Sequence, residues 1–420
     1  MPSIRPFKAV IYNNKKVKEI AGVVAPPYDV ISPAMQDELY KKHQNNVVRL
    51  ILGKIKNTDD ASDNRYTRAA KYFNDWLDKG VLVPDDRESI YIYSQGKKYD
   101  GRYIERPGFI SLMELELSGS KSVLPHENTL KAPKADRLSL MRSVKANLSP
   151  IFLLYEDDKN EIGTIMKNAM KAEPFIDLKI DGVRNRVWKL WQKPAIERIK
   201  RAMAAKDLFI ADGHHRYETA KNYANETGSE AAKYTLAYFC KLDDDSLTIF
   251  PTHRLIKDIG ALKAENILAK LKKFFDIREF YSIKKCMEAL KYLKKRHAFG
   301  MYLGGKKFYC IKFREDDAAE AFMGRGSKDW KSLDVSILHL FIIQNILAIR
   351  DEDDNIEFVK DAGEAVKAVD AGRFGMAFLL NPTKVSQVKK VAEHGEKMPR
   401  KATFFYPKPL SGLVIRKIQA

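Results

Sequence analysis

The stretch that decides the fold runs from Lys206 to Ala220, KDLFIADGHHRYETA. Leu208 to Ala211 is an apolar run of strand length. Asp212-Gly213 breaks it, and the residues from His214 onward read as a helix. Gly213 permits a tight turn and lets a ligand approach the backbone closely. The N–H groups that open a helix have no acceptor within it, and the helix dipole favours an anion there. Arg216, on the first turn, carries a guanidinium suited to bidentate phosphate binding. His214 and His215 add donors or a proton-transfer group. Asp212 is placed to cap the helix or to face the ligand. The carboxylate nearest Arg216 in the local sequence is Glu218, about 200° away around the helix. Arg216 is therefore expected to face a ligand rather than a protein partner, and the turn to hold an anion, phosphate above all.

Around this stretch strands and helices alternate. Helices are expected near 161–172, 194–206 and 215–226, with strands near 175–190 and at Ile151 to Tyr155. Tyr234 to Lys241 and Leu247 to Pro251 read as paired strands across Asp243-Asp244-Asp245. Further upstream, Ala21 to Val24 reads as a strand and Val47 to Leu52 as a β-branched strand containing Arg49. Ser32 is a suitable N-cap with Pro33 at the first helical position. Residues 62–79 carry a helical period, and Ser89 to Leu117 reads as an antiparallel meander turning at Gln95-Gly96-Lys97-Lys98. Residues 118–149 show little periodicity, and a loop of that length is expected to act as a lid. Downstream, helices fit 262–274, 282–295 and 333–348, and strands fit Phe299 to Tyr302, Phe308 to Phe313 and Met376 to Leu380. The fold class expected is mixed α/β (α+β), without a dinucleotide-binding glycine fingerprint or a Walker-type phosphate loop. Expected regions are 1–155 with the 118–149 loop, 156–255 carrying the DGHHR turn, and 256–420.

The chain has 420 residues, 45% of them hydrophobic and 31% charged, which implies two or three globular domains. No run reaches the ~20 apolar residues of a membrane helix. The richest run, Val335 to Ile349, reads as a buried helix. The opening MPSIRPFKAV lacks a signal-peptide core, so a cytoplasmic protein and no membrane partner are expected. Cys240, Cys286 and Cys310 are widely separated and read as buried thiols. The net charge of +19 admits nucleic acid as a partner, but the lysines are spread along amphipathic helices without an arginine tract.

Other blocks carry plausible chemistry. PPYDVIS holds Asp29 in a rigid turn before a helix, as a general base, a magnesium ligand or a cap. Arg49 inside an apolar strand requires a carboxylate or ligand partner. Pro125 and Pro133 stiffen the loop that carries His126, Glu127, Lys131, Lys134, Asp136 and Arg137, a mixture suited to a polyanion. Thr252-His253-Arg254 closes a strand and is a candidate ligand contact. Lys401 and Lys408 flank Phe404-Phe405-Tyr406, where a base could stack. His43, His297, His339 and His394 read as structural.

The DGHHR turn resembles the phosphate-binding box of the ParB/sulfiredoxin-like superfamily, which includes nucleotide switches, sulfiredoxins and a free-serine kinase. The whole chain resembles a bacterial and archaeal conserved family of unknown function. The blocks that carry this likeness are PPYDVI at 26–31, NVVRL at 46–50, PHE at 125–127, KADR at 134–137, SPIF at 149–152, DGHHRYETA, PTHR at 251–254 and MPRKATFFYPK at 398–408. About 160 residues separate the first strand block from DGHHR, more than in small superfamily members, as an inserted domain would explain. The resemblance implies a ParB/sulfiredoxin-like nucleotide-binding core with inserted and C-terminal α/β regions. It also implies ATP or ADP with Mg2+, CTP being admitted, and phosphoryl transfer to a small hydroxyl metabolite such as free serine.

The catalytic candidates are then Asp29, Glu127 and His215. Nucleotide or phosphate would meet Asp212, Gly213, His214, Arg216, Lys134, Arg137, His253 and Arg254. Asp136 is the candidate metal ligand. The alternatives are a ParB-like nucleotide switch or nucleic-acid-binding module without turnover, and a metal-dependent hydrolase using His126, His214 and His253. Oligomeric state is not specified by the sequence.

Overall fold

The computed structural model describes residues 2–99, 101–117, 122–242, 247–260, 262–314, 324, 326–349 and 355–418. Contacts divide the chain into two units. The first comprises Met1–Pro125, Thr129–Leu247 and Pro407–Ala420; the second comprises His126–Asn128 and Thr248–Tyr406. The fold is mixed α/β, as the patterning requires.

In the first unit, Ile4–Arg5 is β1, Val10–Tyr12 is β2 and Leu82–Pro84 is β3. Ile90–Tyr99 (β4) and Arg102–Glu114 (β5) form a long hairpin. The chain does not reverse at Gln95–Lys98 as expected; β4 runs through those residues, and Gly101 at φ 78° lies in the later turn. Val123–Leu124 is β6, Ala146–Asn147 is β7 and Ile151–Tyr155 is β8. Ile176–Ile180 and Val183–Leu190 are β9 and β10; Leu208–Asp212 and Tyr234–Lys241 are β11 and β12. Among the described residues they build a nine-stranded sheet ordered β6-β11-β8-β12-β5-β4-β10-β9, with β1 also paired to β5. β6–β11 and β8–β12 are parallel; the other pairs are antiparallel.

Pro33–Lys42 (α1) starts where Ser32 Oγ accepts the Met35 N–H at 3.2 Å, so the expected cap forms. Val48–Ile51 (α2) is a helix, not the expected strand. Val48, Leu50 and Ile51 turn inward while Asn46 accepts the Val48 N–H at 2.9 Å, so local capping and burial override β-branched propensity. Ala21 to Val24 likewise departs from its strand reading, with Ile20–Gly22 a 3-10 turn. Arg65–Asp78 (α3) buries Ala69, Phe73 and Trp76. Lys131–Val144 (α4) occupies much of the expected lid. Its Leu140 and Val144 are buried in the core of α1 to α3, which a loop could not supply. Residues 118–121 of the expected loop lie outside the described ones. Glu161–Ala169 (α5), Lys193–Ala204 (α6) and His214–Thr227 (α7) pack on the sheet through Ile162, Ile165, Ile196, Ile199, Tyr217 and Ala220.

In the second unit, Thr248–Ile249 (β13) pairs with Phe405–Tyr406, so it does not pair with β12 as expected. Asp243 to Asp245 lie outside the described residues. His253–Ile256 (β14), Phe275–Phe280 (β15), Ala298–Tyr302 (β16), Phe308–Phe313 (β17), Ile356–Val359 (β18) and Met376–Leu379 (β19) form a sheet ordered β15-β17-β16-β19-β14-β18. Ala264–Leu271 (α8) and Ile283–Tyr292 (α9) match the expected helices, shortened at their ends. The apolar run is helical and buried, but Ile337–Ile346 winds with π-type hydrogen bonds. All three cysteines are free and buried, and burial pushes the Cys286 thiol up to about 12. No helix among the described residues is long and apolar enough to cross a membrane.

Candidate functional site

The DGHHR turn has the expected form. β11 ends at Asp212, Gly213 takes φ +94°, and α7 begins at His214. A Cβ at position 213 would lie 3.0 Å from the Arg216 guanidinium, so the glycine serves both the turn and that close approach. The helical ladder starts with Tyr217 N–H donating to the Gly213 carbonyl at 2.9 Å, which leaves the N–H groups of residues 214–216 outside it.

Arg216 does have a carboxylate partner. Its Nη2 bonds Asp212 and its Nη1 bonds the Pro150 carbonyl. The positive φ at Gly213 swings the last strand residue back over the first helical turn, bringing residues i and i+4 together. The expectation of an unpaired Arg216 fails because it considered only helical neighbours. Asp212 also accepts from Lys408 Nζ at 2.5 Å, and the same ammonium pairs with Asp29. Two turns far apart in the chain are thus tied by one cation. Burial alone would lower the Lys408 pKa, but the carboxylates of Asp212 and Asp29 overcome it and hold the ammonium above the ordinary lysine value.

Asp29 sits in the 3-10 turn Tyr28–Val30, and Ser32, not Asp29, caps α1. Tyr28 lies under the Arg137 guanidinium, 4.0 Å from ring centroid to Cζ. Arg137, buried on α4, donates to the Ile51 carbonyl at 2.6 Å and pairs with Asp136. The Asp136 carboxylate is also engaged by Arg65 and by the Tyr66 hydroxyl at 2.8 Å. Lys134 is half-buried on the same helix. His214 is buried. His215 Nε2 accepts the Leu130 N–H at 3.0 Å, so α7 touches the start of α4. Among the described residues Arg49 pairs with no carboxylate. On α2 it donates to the Gln44 and Tyr40 carbonyls at 2.7 and 2.9 Å and stacks on Tyr40.

A cleft of about 490 Å³, its open mouth included, lies among these elements. Tyr28, Arg137, Ser149, Arg216 and Thr219 give it polar character; Ile51, Leu140, Met141, Leu148 and Ile151 line the rest. Two polar atoms here are buried with no hydrogen-bond partner, Arg216 Nε and Thr219 Oγ1. The sequence reading passed over Thr219, although it lies three residues after Arg216 on the same helical face. Lys408 was read with the aromatics before it. Its pairing with Asp29 and Asp212 depends on long-range topology that no local pattern carries.

The remaining candidates belong to the second unit. The Glu127 backbone bridges Met398, and its Oε1 accepts the Lys401 N–H at 3.4 Å. His253 opens β14 rather than closing a strand, and its Nδ1 accepts the Leu380 N–H at 3.1 Å. Burial first, and Arg254 second, lower the His253 pKa to about 4. Arg254 is fully buried and donates to His339 Nε2 at 3.1 Å and to the Thr252 carbonyl. The Phe404–Tyr406 aromatics pack on Phe250, and Lys360 lies 3.5 Å over the Phe404 ring. The structure therefore gathers Asp29, Lys134, Asp136, Arg137, Asp212, Gly213, His214, His215 and Arg216 in one unit, apart from Glu127, His253 and Arg254. His126, the third hydrolase candidate with His214 and His253, is buried in the second unit near Thr403 at 3.1 Å. Among the described residues no three His, Cys, Asp or Glu side chains form a metal-holding group.

Residues 4–336 match the family described as "Protein of unknown function (DUF1015)". The chain belongs to that family. The conserved-family resemblance is thereby shown over most of the chain. No curated protein matches. Solved structures that resemble this DUF1015 chain include a free serine kinase variant in complex with AMP, at 13% identity and a TM-score of 0.37, covering 70% of this chain and 87% of that one. A conserved hypothetical protein from Pyrococcus furiosus matches at 15% identity and a TM-score of 0.35, over 70% of this chain and 90% of that one. SbnI with C-terminal truncation from Staphylococcus aureus matches at 10% identity and a TM-score of 0.37, over 73% of this chain and 86% of that one.

Proposed function

We propose that this protein transfers a phosphoryl group from ATP or ADP to a small hydroxyl metabolite, with the Gly213 turn as the phosphate site. The observation that carries the proposal is the cation network at that turn. Lys408 joins Asp29 to Asp212, and Asp212 joins Arg216, immediately below the start of a helix. Phosphoryl transfer asks a protein mainly for positioning and for cations near the transferring group. The α7 dipole, Arg216, Lys408 and Lys134 supply positive potential. Asp29 takes the proton of the attacking hydroxyl, as the acceptor oxygen bonds to phosphorus and the bond to the nucleotide breaks. Lys408, held protonated, fixes the Asp29 carboxylate beside the Gly213 turn. His215 is a positioning contact between α7 and α4 and a second proton carrier.

Among the described residues, the carboxylates Asp29, Asp136 and Asp212 do not form a metal site of their own. Asp136 is closed by Arg65, Arg137 and Tyr66, and Asp29 and Asp212 are closed by Lys408. Magnesium is accordingly assigned to the nucleotide phosphates and to no protein ligand. The turn itself supports the ParB/sulfiredoxin-like reading of the phosphate box.

The test is a thermal-shift series with ATP, ADP and CTP, with and without magnesium, at low salt. A nucleotide at about 100 times its dissociation constant should stabilise the protein by roughly 2.7 kcal/mol. An unchanged melting temperature with all three nucleotides refutes the proposal.

A further inference from the structure

We infer that the cleft between α4, α7 and the start of β8 is the acceptor subsite and that it takes a small hydroxy acid by its carboxylate, gripped by Arg216 Nε and Thr219 Oγ1. This rests on the phosphotransferase reading for the word acceptor. The anion site itself rests on the cleft.

Thr219 is fully buried, lines the cleft, and has no hydrogen-bond partner for its hydroxyl. Burying an unsatisfied hydroxyl costs stability, and valine would fill the same space without that cost. A ligand that completes the hydrogen bond accounts for the hydroxyl. Arg216 Nε, one helical turn earlier on the same face, is the second buried donor without a partner. Two donors one turn apart suit the two oxygens of one oxyanion.

The choice of carboxylate over polyphosphate follows from which donors are already engaged and from the lining. Arg65, Arg137, Arg216 and Lys408 are cations in ion pairs with Asp29, Asp136 and Asp212. Both Arg216 Nη atoms and the Lys408 ammonium are thereby engaged within the protein, which leaves Arg216 Nε as a single donor suited to one small oxyanion. The Ile51, Leu140 and Met141 side chains of the lining also favour a compact organic acid over a hydrated phosphate chain. Tyr28, the neighbour of the proposed base Asp29, lines the same cleft, so a hydroxyl on the bound acid lies on the side of that base.

The experiment compares wild type, Thr219→Val and Thr219→Ser by calorimetric titration and thermal melting. The probes are L-serine, L-lactate and inorganic phosphate, each without nucleotide. We expect both carboxylates to bind wild type and Thr219→Ser, and Thr219→Val to bind them about tenfold or more weakly, as for loss of a hydrogen bond to a charged group. Thr219→Val should melt at or above the wild-type temperature, because the hydroxyl it removes has no protein partner. Nucleotide-induced stabilisation should be the same in all three proteins. A Thr219→Val protein that melts lower and binds L-serine normally overturns the inference, since the hydroxyl is then structural. Binding of phosphate alone, lost in Thr219→Val, overturns it in favour of a nucleotide phosphate site. Serine binding that needs Thr219, without any phosphoryl transfer, upholds the anion site and removes the phosphotransferase reading instead.

Discussion

At the scale of single residues, Arg216 is the pivot. It pairs with Asp212, touches the Pro150 carbonyl and lines the cleft, so one substitution reads two properties. Arg216→Ala should weaken nucleotide binding by about one decade, through loss of positive charge at the turn. It should also lower unfolding free energy by about 2 kcal/mol, since Asp212 is nearly buried and keeps only Lys408. Paired titration and urea melts check both numbers; unchanged stability would show that the ion pair has no structural weight. His253 offers a pH test in the other unit. Its folded pKa of about 4 lies below the ordinary 6.5, so the unfolded chain binds more protons between those values. Its contribution is present above pH 6.5 and is lost as pH falls towards 4, amounting to about 3 kcal/mol in full. His253→Gln should flatten the acid limb of melting temperature against pH over that window. The four histidines read as structural each make a hydrogen bond: His43 to Asn45, His297 to Asp334, His339 to Arg254 and His394 to Lys390.

At the scale of elements, the turn was legible and helix α4 was not. Leu208–Ala211, Gly213 and the polar run after it announce strand, turn and helix, because one glycine at positive φ is a local requirement. Gly213→Ala should cost about 1–3 kcal/mol through that φ and should displace the Arg216 guanidinium. Its melt and its nucleotide titration should therefore both worsen, and a neutral result in either would show the turn to be more plastic than described. Residues 131–144 hid their helix because Lys131, Lys134 and Arg137 mask the apolar period of Leu138, Leu140, Met141 and Val144. Val47–Leu52 failed for the opposite reason, since a β-branched run carries no information about the Asn46 side chain that caps it as a helix. The candidate site was readable where its members are consecutive and unreadable where Lys408 and Thr219 complete it.

At the scale of the whole molecule, the mixed α/β class followed from alternating periods, and membership in the DUF1015 family is shown by the match over residues 4–336. What the sequence could not show is that Pro407–Ala420 belongs to the unit containing β11 and α7, where it delivers Lys408 between Asp29 and Asp212. Chain return of that kind is a tertiary choice, fixed by the burial of Leu413, Val414 and Ile415 and by no signal near Lys408 itself. The central claim is nucleotide-dependent phosphoryl transfer at this network. The most direct test is phosphorus NMR of the full chain with ATP or ADP, magnesium and L-serine, run beside Lys408→Met. A phosphomonoester signal is expected to grow as the nucleotide loses its terminal phosphate, and to be reduced at least a hundredfold in Lys408→Met. A wild-type sample in which ATP and ADP stay intact beside serine and other small hydroxy acids, or a Lys408→Met protein that turns over at the wild-type rate, would contradict that claim.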